Sequence, residues 1–236
     1  MRKYTHALML GSSLVFVILM TATNFWLKSA VAAYNFDDPY RHFVRQEIPD
    51  FRYISIQIGN ILSKSTASPA QPKKGDAALI LQSEKPVLYI HEDVKDSLKW
   101  HISGDTLYLR GCNNKKRVHT AAQILTPHIS GLSASRSNAK LEGFVADSIA
   151  VYADQLSEIE IKNSKLNVCY LYMNDATVHL RDSSVQVQAL HVAQGVKSTL
   201  NCADTRIQRV YLPADQTTFS LKMSGEALKI VQNRPN

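Results

Sequence analysis

The sequence predicts an all-β protein: a right-handed parallel β-solenoid of about 19–22 residues per coil, preceded by a small strand-rich unit and an N-terminal membrane helix. Three observations predict it. Pairs of apolar residues of the form Φ-x-Φ recur at a shared offset through the second half of the chain. In that half, short apolar alternations broken by Asn, Asp or Ser take the place of any helical period. Near the N-terminus, a charge-free run follows Arg2, Lys3 and His6.

The charge-free run is ALMLGSSLVFVILMTATNFWL, residues 7–27. As a helix it reaches across the hydrocarbon core of a bilayer, roughly 30 Å thick. Basic residues ahead of it predict an N-in orientation, with Trp26 and Lys28 at the far interface. The alternative is a cleaved signal peptide with SAVAA, residues 29–33, as the cleavage site. Either reading exports residues 34–236 and places them in the cell envelope, on the periplasmic or extracellular side. The membrane is therefore an expected partner, through residues 1–33. Residues 34–50, YNFDDPYRHFVRQEIPD, read as a polar, aromatic-spiked linker.

Composition narrows the function classes. With 236 residues, 45% apolar and 20% charged, the chain can build a sizeable core. The formal charge is +7, but Arg2, Lys3 and Lys28 belong to the first 33 residues, which hold no acid, so the exported part carries +4. Its charges are interspersed, which argues against a nucleic-acid partner. Cys112, Cys169 and Cys202 are too few, and odd in number, for a disulfide framework. Cys202 takes the place of an inward apolar residue and reads as a buried thiol, with Cys169 alike.

Residues 51–111 read as the strand-rich N-terminal part of the domain. In FRYISIQI, Ile54, Ile56 and Ile58 share one face. SKSTASPAQPKKGD, residues 63–76, is an exposed loop by composition. AALIL and VLYI are strands, HEDVKDSLKW offers a short helical turn, and SGDTLYLRG is a hairpin strand bounded by Gly104 and Gly111.

Residues 112–231 carry the repeat, leaving 232–236 as a tail. Ile159 and Ile161 recur nineteen residues on as Val178 and Leu180, Leu166 and Val168 as Val185 and Val187, and Leu171 and Met173 as Leu190 and Val192. Leu200 and Cys202 follow at an offset of 22, which places three extra residues at Gln194–Val196, and Phe219 and Leu221 follow nineteen later. Ile149 and Val151 precede Leu171 and Met173 by 22. Ser164, Ser183, Thr205 and Ser224 hold one place in the unit, where a hydroxyl can bond a turning backbone. Three pairs per coil predict three faces, each coil touching only its neighbours. A leucine-rich repeat would need a helix on the far side, where this chain has a further Φ-x-Φ pair. Residues 225–236 are the expected C-terminal cap.

An anchor, a short strand unit and small-residue repeats, carried by FRYISIQIGN, VLYIHEDVKDSLKWHISGDTLYLRG, ISGLSASRSNAKL and IEIKNSKLNV, resemble the autotransporter-adhesin head (GIN) domain of Bacteroidetes-type cell-envelope proteins. The resemblance covers residues 51–231. It implies a surface or periplasmic β-helix-like protein, and it supplies no catalytic residues.

The register also selects candidate chemistry. Glu160 and His179, nineteen apart, are expected to stack outside, as an acid–base pair or a surface contact. The same row continues with Asn201 and Ser220, so no acidic cluster builds up. Thr177, Thr199 and Thr218 form a structural ladder. No catalytic residue, metal site or cofactor is assigned. The candidate ligand-binding surface is an outward ladder of Tyr172, His191 and Tyr211, flanked by Tyr170 and Arg209. Rings with hydrogen-bonding tips suit a glycan or a surface protein. The expected function is thus a non-catalytic, adhesin-like or scaffolding module. The alternative is a β-helix carbohydrate-active enzyme, a lyase or hydrolase, which needs carboxylates at set spacing.

Overall fold

The computed structural model describes residues 39–59, 76–111, 118–182, 184–212 and 219–224. The chain divides into two units, residues 1–42 and 43–236. Of the first, only a turn at 39–42 is described. The second holds seventeen strands among the described residues, in two sheets.

The strands are β1 (Phe43–Glu47), β2 (Tyr53–Ile58), β3 (Asp76–Gln82), β4 (Val87–His91), β5 (Leu98–Ser103), β6 (Thr106–Gly111), β7 (Thr120–Thr126), β8 (Gly131–Ser135) and β9 (Asn138–Glu142). There follow β10 (Val145–Asp154), β11 (Glu158–Lys162), β12 (Lys165–Asn174), β13 (Thr177–Arg181), β14 (Gln186–Val196), β15 (Ser198–Ala203), β16 (Arg206–Tyr211) and β17 (Phe219–Ser224). Sheet A runs β1-β4-β7-β3-β9-β11-β13-β15-β17, and sheet B runs β5-β6-β2-β8-β10-β12-β14-β16. From β8 onward the chain passes alternately between the sheets, and every neighbour pair is parallel. This is a β-solenoid. Antiparallel pairs close its N-terminal end: β4 on β7 and β1 on β4 in sheet A, and the β5–β6 hairpin in sheet B.

The core lies between the sheets as stacked apolar rows. Ala139, Ile159, Val178, Leu200 and Leu221 form one row in sheet A. Ile149, Cys169, Leu190 and Val210 form another in sheet B. Each rung covers the next, so strands of five residues can be stable.

The corners use one device on both sides. A residue with positive φ reverses the chain, and the small residue after it turns inward. Arg136, Asp175 and Lys197 have φ of 53°, 50° and 47° at one corner, while Asn163 and Asp204 have 49° and 56° at the other. Ser137, Ser164, Ser198 and Thr205 follow four of these and are buried. Ser164 Oγ donates to the Lys162 carbonyl at 2.7 Å and accepts from the Phe144 N–H at 3.2 Å. Ser198 Oγ does the same with the Val196 carbonyl at 2.7 Å and the Ala176 N–H at 3.3 Å. A hydroxyl therefore satisfies the backbone groups that a sharp turn removes from the ladder.

Several expectations are corrected. The coil has two sheets rather than three faces. Two of the three apolar pairs lie on one continuous strand, such as β12, whose corner is marked by two successive residues, Asn167 and Val168, that both turn away from the core. The ladder skips one position at that bend, at Asp147, Asn167, Gln188 and Gln208, and resumes in the same register, so the faces remain one sheet. Val168 is half-buried, and the inward partner in its neighbourhood is Cys169. Leu166 pairs with Val187 rather than Val185, Ile149 with Cys169 rather than Leu171, and Leu200 with Leu221 rather than Phe219. The extra residues of that coil sit at the Asp182–Val185 corner and at Ala193, where the β12–β14 register shifts, not at Gln194–Val196. Val185 and Val187 are both buried, and this made them look like the next copy of Leu166 and Val168. Ser224 aligns with Ala203 and not with Thr205.

The stretch read as linker contains β1, because Phe43 packs edge-on against His91 and the strand pairs with β4. The hairpin strand expected at 103–111 is present as β6, and the helical turn as a 3-10 turn at Glu92–Val94, but Leu98–Trp100, read with that turn, belong to β5, the antiparallel partner of β6. The membrane helix, most of the loop at 63–76, Cys112, Thr218 and the C-terminal cap lie outside the described residues. Among those described, no helix is long and apolar enough to cross a membrane.

Candidate functional site

The outer faces of the two sheets differ in chemistry. Sheet A carries ions that satisfy one another. Lys140 Nζ lies 2.6 Å from Glu142 Oε2, Lys162 Nζ 3.2 Å from Glu160 Oε1, and Arg181 Nη1 3.6 Å from the same Glu160 oxygen. Asn163 Nδ2 also donates to Glu142 Oε1 at 2.9 Å. The hydrogen bond from Lys140 leads the effects that hold the Glu142 carboxyl below its usual range. Glu160 and His179 are ladder partners, as expected, but the imidazole contacts a different acid. His179 Nε2 is 3.1 Å from Glu158 Oε1, and the ring is nearly buried. The row continues through Asn201 to Lys222, not to Ser220, which pairs with Thr199.

Sheet B instead presents rings. Strand alternation sends Tyr170 and Tyr172 outward from β12 between buried Cys169, Leu171 and Met173. Tyr170, His191 and Tyr211 form one ladder, with ring centroids 5.0 and 4.3 Å apart. Tyr172 does not belong to it. Tyr172 pairs with Tyr152, centroids 4.5 Å apart and planes 8° from parallel, in a second ladder one row over. Arg209 stands two residues before Tyr211 on the same face of β16. The structure thus brings Tyr170, His191, Arg209 and Tyr211 together and sets Tyr172 beside them.

Both rows continue toward the N-terminal end. The first passes from Tyr170 through Ala150 and Gly131 to Tyr53. The second passes from Tyr152 through Ser133 and Ser55 to Tyr108, which stacks on His101 at 4.9 Å. Each row therefore has two small residues between aromatic walls. Gly131 is required there: a Cβ on it would sit 2.7 Å from Cδ1 of Tyr53, whose ring lies across it. Stacking hides most ring faces and leaves edges and hydroxyls to solvent. The faces of Tyr152 and Tyr170 that look toward Ser133 and Ala150 have only small neighbours. Tyr53, Tyr152, Tyr170 and Tyr211 are 42%, 45%, 38% and 41% exposed, so this is accessible aromatic surface rather than core.

Beside the aromatic rows, across the strand bend, runs a groove of about 600 Å³. Asp147, Asn167, Gln188 and Gln208 line it, with Lys165 and Arg206 one residue-pair earlier. Asn167 Nδ2 donates to Asp147 Oδ1 at 2.9 Å. Amides both donate and accept, as sugar hydroxyls do. Asp147 is the one carboxylate in the lining, whereas two-carboxylate glycoside hydrolysis needs a facing pair.

Sequence reasoning missed Tyr53, His101, Tyr108 and Tyr152. With the offset of 22 assigned upstream, Tyr152 falls opposite Asn174; the true offset of 20 puts it on Tyr172. Aligning the two outward tyrosines would have found it. Among the described residues no group of three or more His, Cys, Asp or Glu is placed to hold a metal. Cys169 and Cys202 are free, buried thiols whose pKa burial pushes up to about 12.

No protein-family description and no curated protein matches this chain. Among solved structures it is similar to a "putative adhesin" from Bacteroides fragilis, at 14% identity and TM-score 0.48 over 79% of this chain and 95% of that one. It is also similar to a "putative adhesin" from Parabacteroides distasonis, at 6% identity and TM-score 0.36 over 77% and 96%. A third, from the same organism, is a "putative lipid binding protein", at 12% identity and TM-score 0.31 over 78% and 96%. At these levels of identity and overlap the likeness assigns no activity.

Proposed function

We propose that this chain is an exported, non-catalytic binding module of the cell envelope, adhesin-like in role, which holds a glycan on the outer face of sheet B. The observation that carries the reading is the asymmetry of the two faces. Sheet A neutralises its own charges, while sheet B leaves stacked tyrosines and an amide-lined groove side by side. Exposed aromatic surface with polar rims marks contact sites on soluble proteins. Ring faces and edges cover the apolar faces of sugars, and phenol hydroxyls with amides take their hydroxyl groups. A surface protein is the second expected kind of ligand, and the same rings would serve it.

The test is binding of residues 34–236 to a panel of envelope and host glycans, beside a Tyr170→Ala, Tyr211→Ala variant whose fold is checked by circular dichroism. Selective binding that the variant loses supports the reading. Binding that survives moves the site off these ladders, and shortened polysaccharide chains would replace binding by catalysis.

A further inference from the structure

A second depression, of about 340 Å³, lies where β2, β5 and β6 meet the corner after β8. Gln57, Ser97, Lys99, Arg110 and Arg136 line it. Lys99 and Arg110 are direct cross-strand partners in the β5–β6 hairpin, and Arg110 is the ladder partner of Gln57. Arg136 reaches it from a left-handed corner, at φ 53°.

Like charges directly opposite destabilise a strand pair. Here a third cation joins them, and among the described residues none of the three is ion-paired with a carboxylate. The segments that follow Gly59 and Gly111, residues 60–75 and 112–117, contain no acidic residue in their sequence. A lysine on an edge strand often serves only to block edge pairing, and that accounts for Lys99 on β5. It does not account for Arg110, which lies inside the sheet, or for Arg136 in a corner.

The depression is also continuous with the aromatic rows. Gln57, Arg110 and Lys99 stand two residues along their strands from Ser55, Tyr108 and His101, on the same face and about 7 Å away. The Arg110 guanidinium carbon lies 6.0 Å from the Tyr108 ring centroid. A planar guanidinium beside a ring suits a carboxylate or sulfate carried by a molecule that also contacts the ring.

We propose that this depression is an anion subsite, seating the carboxylate or sulfate group of an acidic glycan whose neighbouring sugars lie along the aromatic rows. The proposal rests on the glycan reading above and narrows it to acidic glycans. An anion between Lys99, Arg110 and Arg136 relieves their mutual repulsion, which a neutral glycan cannot do.

The experiment measures affinity of the full chain for three oligosaccharides of matched length: an oligogalacturonide, a heparin-derived sulfated fragment and a neutral malto-oligosaccharide. Inorganic sulfate serves as the free-anion arm. One variant is Lys99→Gln with Arg136→Asn, which keeps the Arg110–Tyr108 contact and places a residue tolerant of positive φ in the corner. The other is the Tyr170→Ala, Tyr211→Ala pair.

The expected result is a preference of roughly tenfold or more for an acidic oligosaccharide over the neutral one, lost in the charge variant. It should also weaken as salt rises. Which acidic arm shows the preference identifies carboxylate or sulfate as the group bound. Inorganic sulfate competing as well as the oligosaccharide overturns the proposal in favour of a free-anion site. Equal binding of neutral and acidic probes, or a charge variant as good as wild type, also overturns it. In either of those cases the glycan reading stands if the tyrosine variant still loses binding. No binding to any oligosaccharide overturns both.

Discussion

At single positions the corners make the sharpest predictions. Ser198 and Ser164 each bond two backbone groups: a carbonyl that also accepts from the Asp175 or Gly143 N–H, and the Ala176 or Phe144 N–H, for which the hydroxyl is the acceptor. Ser198→Ala or Ser164→Ala should lower stability by about 1–3 kcal/mol, read from urea midpoints, because buried groups lose their partner. Ser157 differs. Its corner has one residue too many, with Gln155 and Leu156 both at positive φ, 53° and 64°, and Leu156 exposed. Ser157 Oγ is buried with no hydrogen-bond partner. Ala176 fills the equivalent place one coil on. Ser157→Ala should therefore be neutral or stabilising, by up to about 1 kcal/mol, and a loss as large as that of Ser198→Ala would contradict the corner scheme. The thiols give a pH prediction. Burial raises Cys169 and Cys202 from 9.0 to about 12, so the unfolded chain ionises first. The stability they contribute is whole below pH 9 and is lost as pH rises from there toward 12. Native protein at neutral pH should leave both unlabelled by a thiol reagent, and rising urea should expose Cys202 of β15 before Cys169 of β12.

Among the strands, β8 holds the gap between the aromatic walls. Gly131→Ala forces the Tyr53 ring off its seat, since the new Cβ has 2.7 Å where ordinary contact needs more. We expect a loss of about 1 kcal/mol in stability and weaker glycan binding, with tyrosine fluorescence reporting the displaced ring. Unchanged binding would take Tyr53 and its gap out of the site. The strand level is also where the sequence was most and least legible. Ile159 to Val178 and Glu160 to His179 were placed on neighbouring rungs correctly, because no residue is inserted between β11 and β13 beyond the common turn. The error began at Asp182–Val185, where added residues moved Val185 onto the place of a corner serine. A period of two cannot distinguish a pair that slips by two, so the rows from β12 into β14 and from β15 into β17 looked regular in the wrong register, while Val178 to Leu200 and His191 to Tyr211 were placed correctly. All five site residues nevertheless lie on the outer face of sheet B, because outwardness depends only on parity. Which ring stacks on which depends on the true offset, which was right for His191 on Tyr211 and two residues off for the ring on the other side of His191. The basic depression was invisible, since Lys99, Arg110 and Arg136 share no period and meet only when β2 enters beside β6.

For the whole stack, contacts run only between neighbouring coils, so opening should be graded rather than all-or-none. Phe219, Leu221 and Met223 of β17 are only partly buried, while the rows through β8, β10 and β12 are closed on both sides. Hydrogen exchange should be slowest in β2, β8, β10 and β12 and fastest in β15–β17; uniform exchange along the stack would refute this. The placement of β2 and β3 has a different consequence. β2 lies between β6 and β8, and β3 lies between β7 and β9, although the chain makes them before any of those four. A growing polypeptide thus lays down its keel first. β4–β7 are then built outward on one flank and β8–β17 on the other, each piece meeting an edge already present. Length on the second flank is consequently free to change. A gene that gained or lost one twenty-residue coil there would leave the keel and the capped flank untouched, so stack height is the dimension in which descendants of this chain can most readily differ.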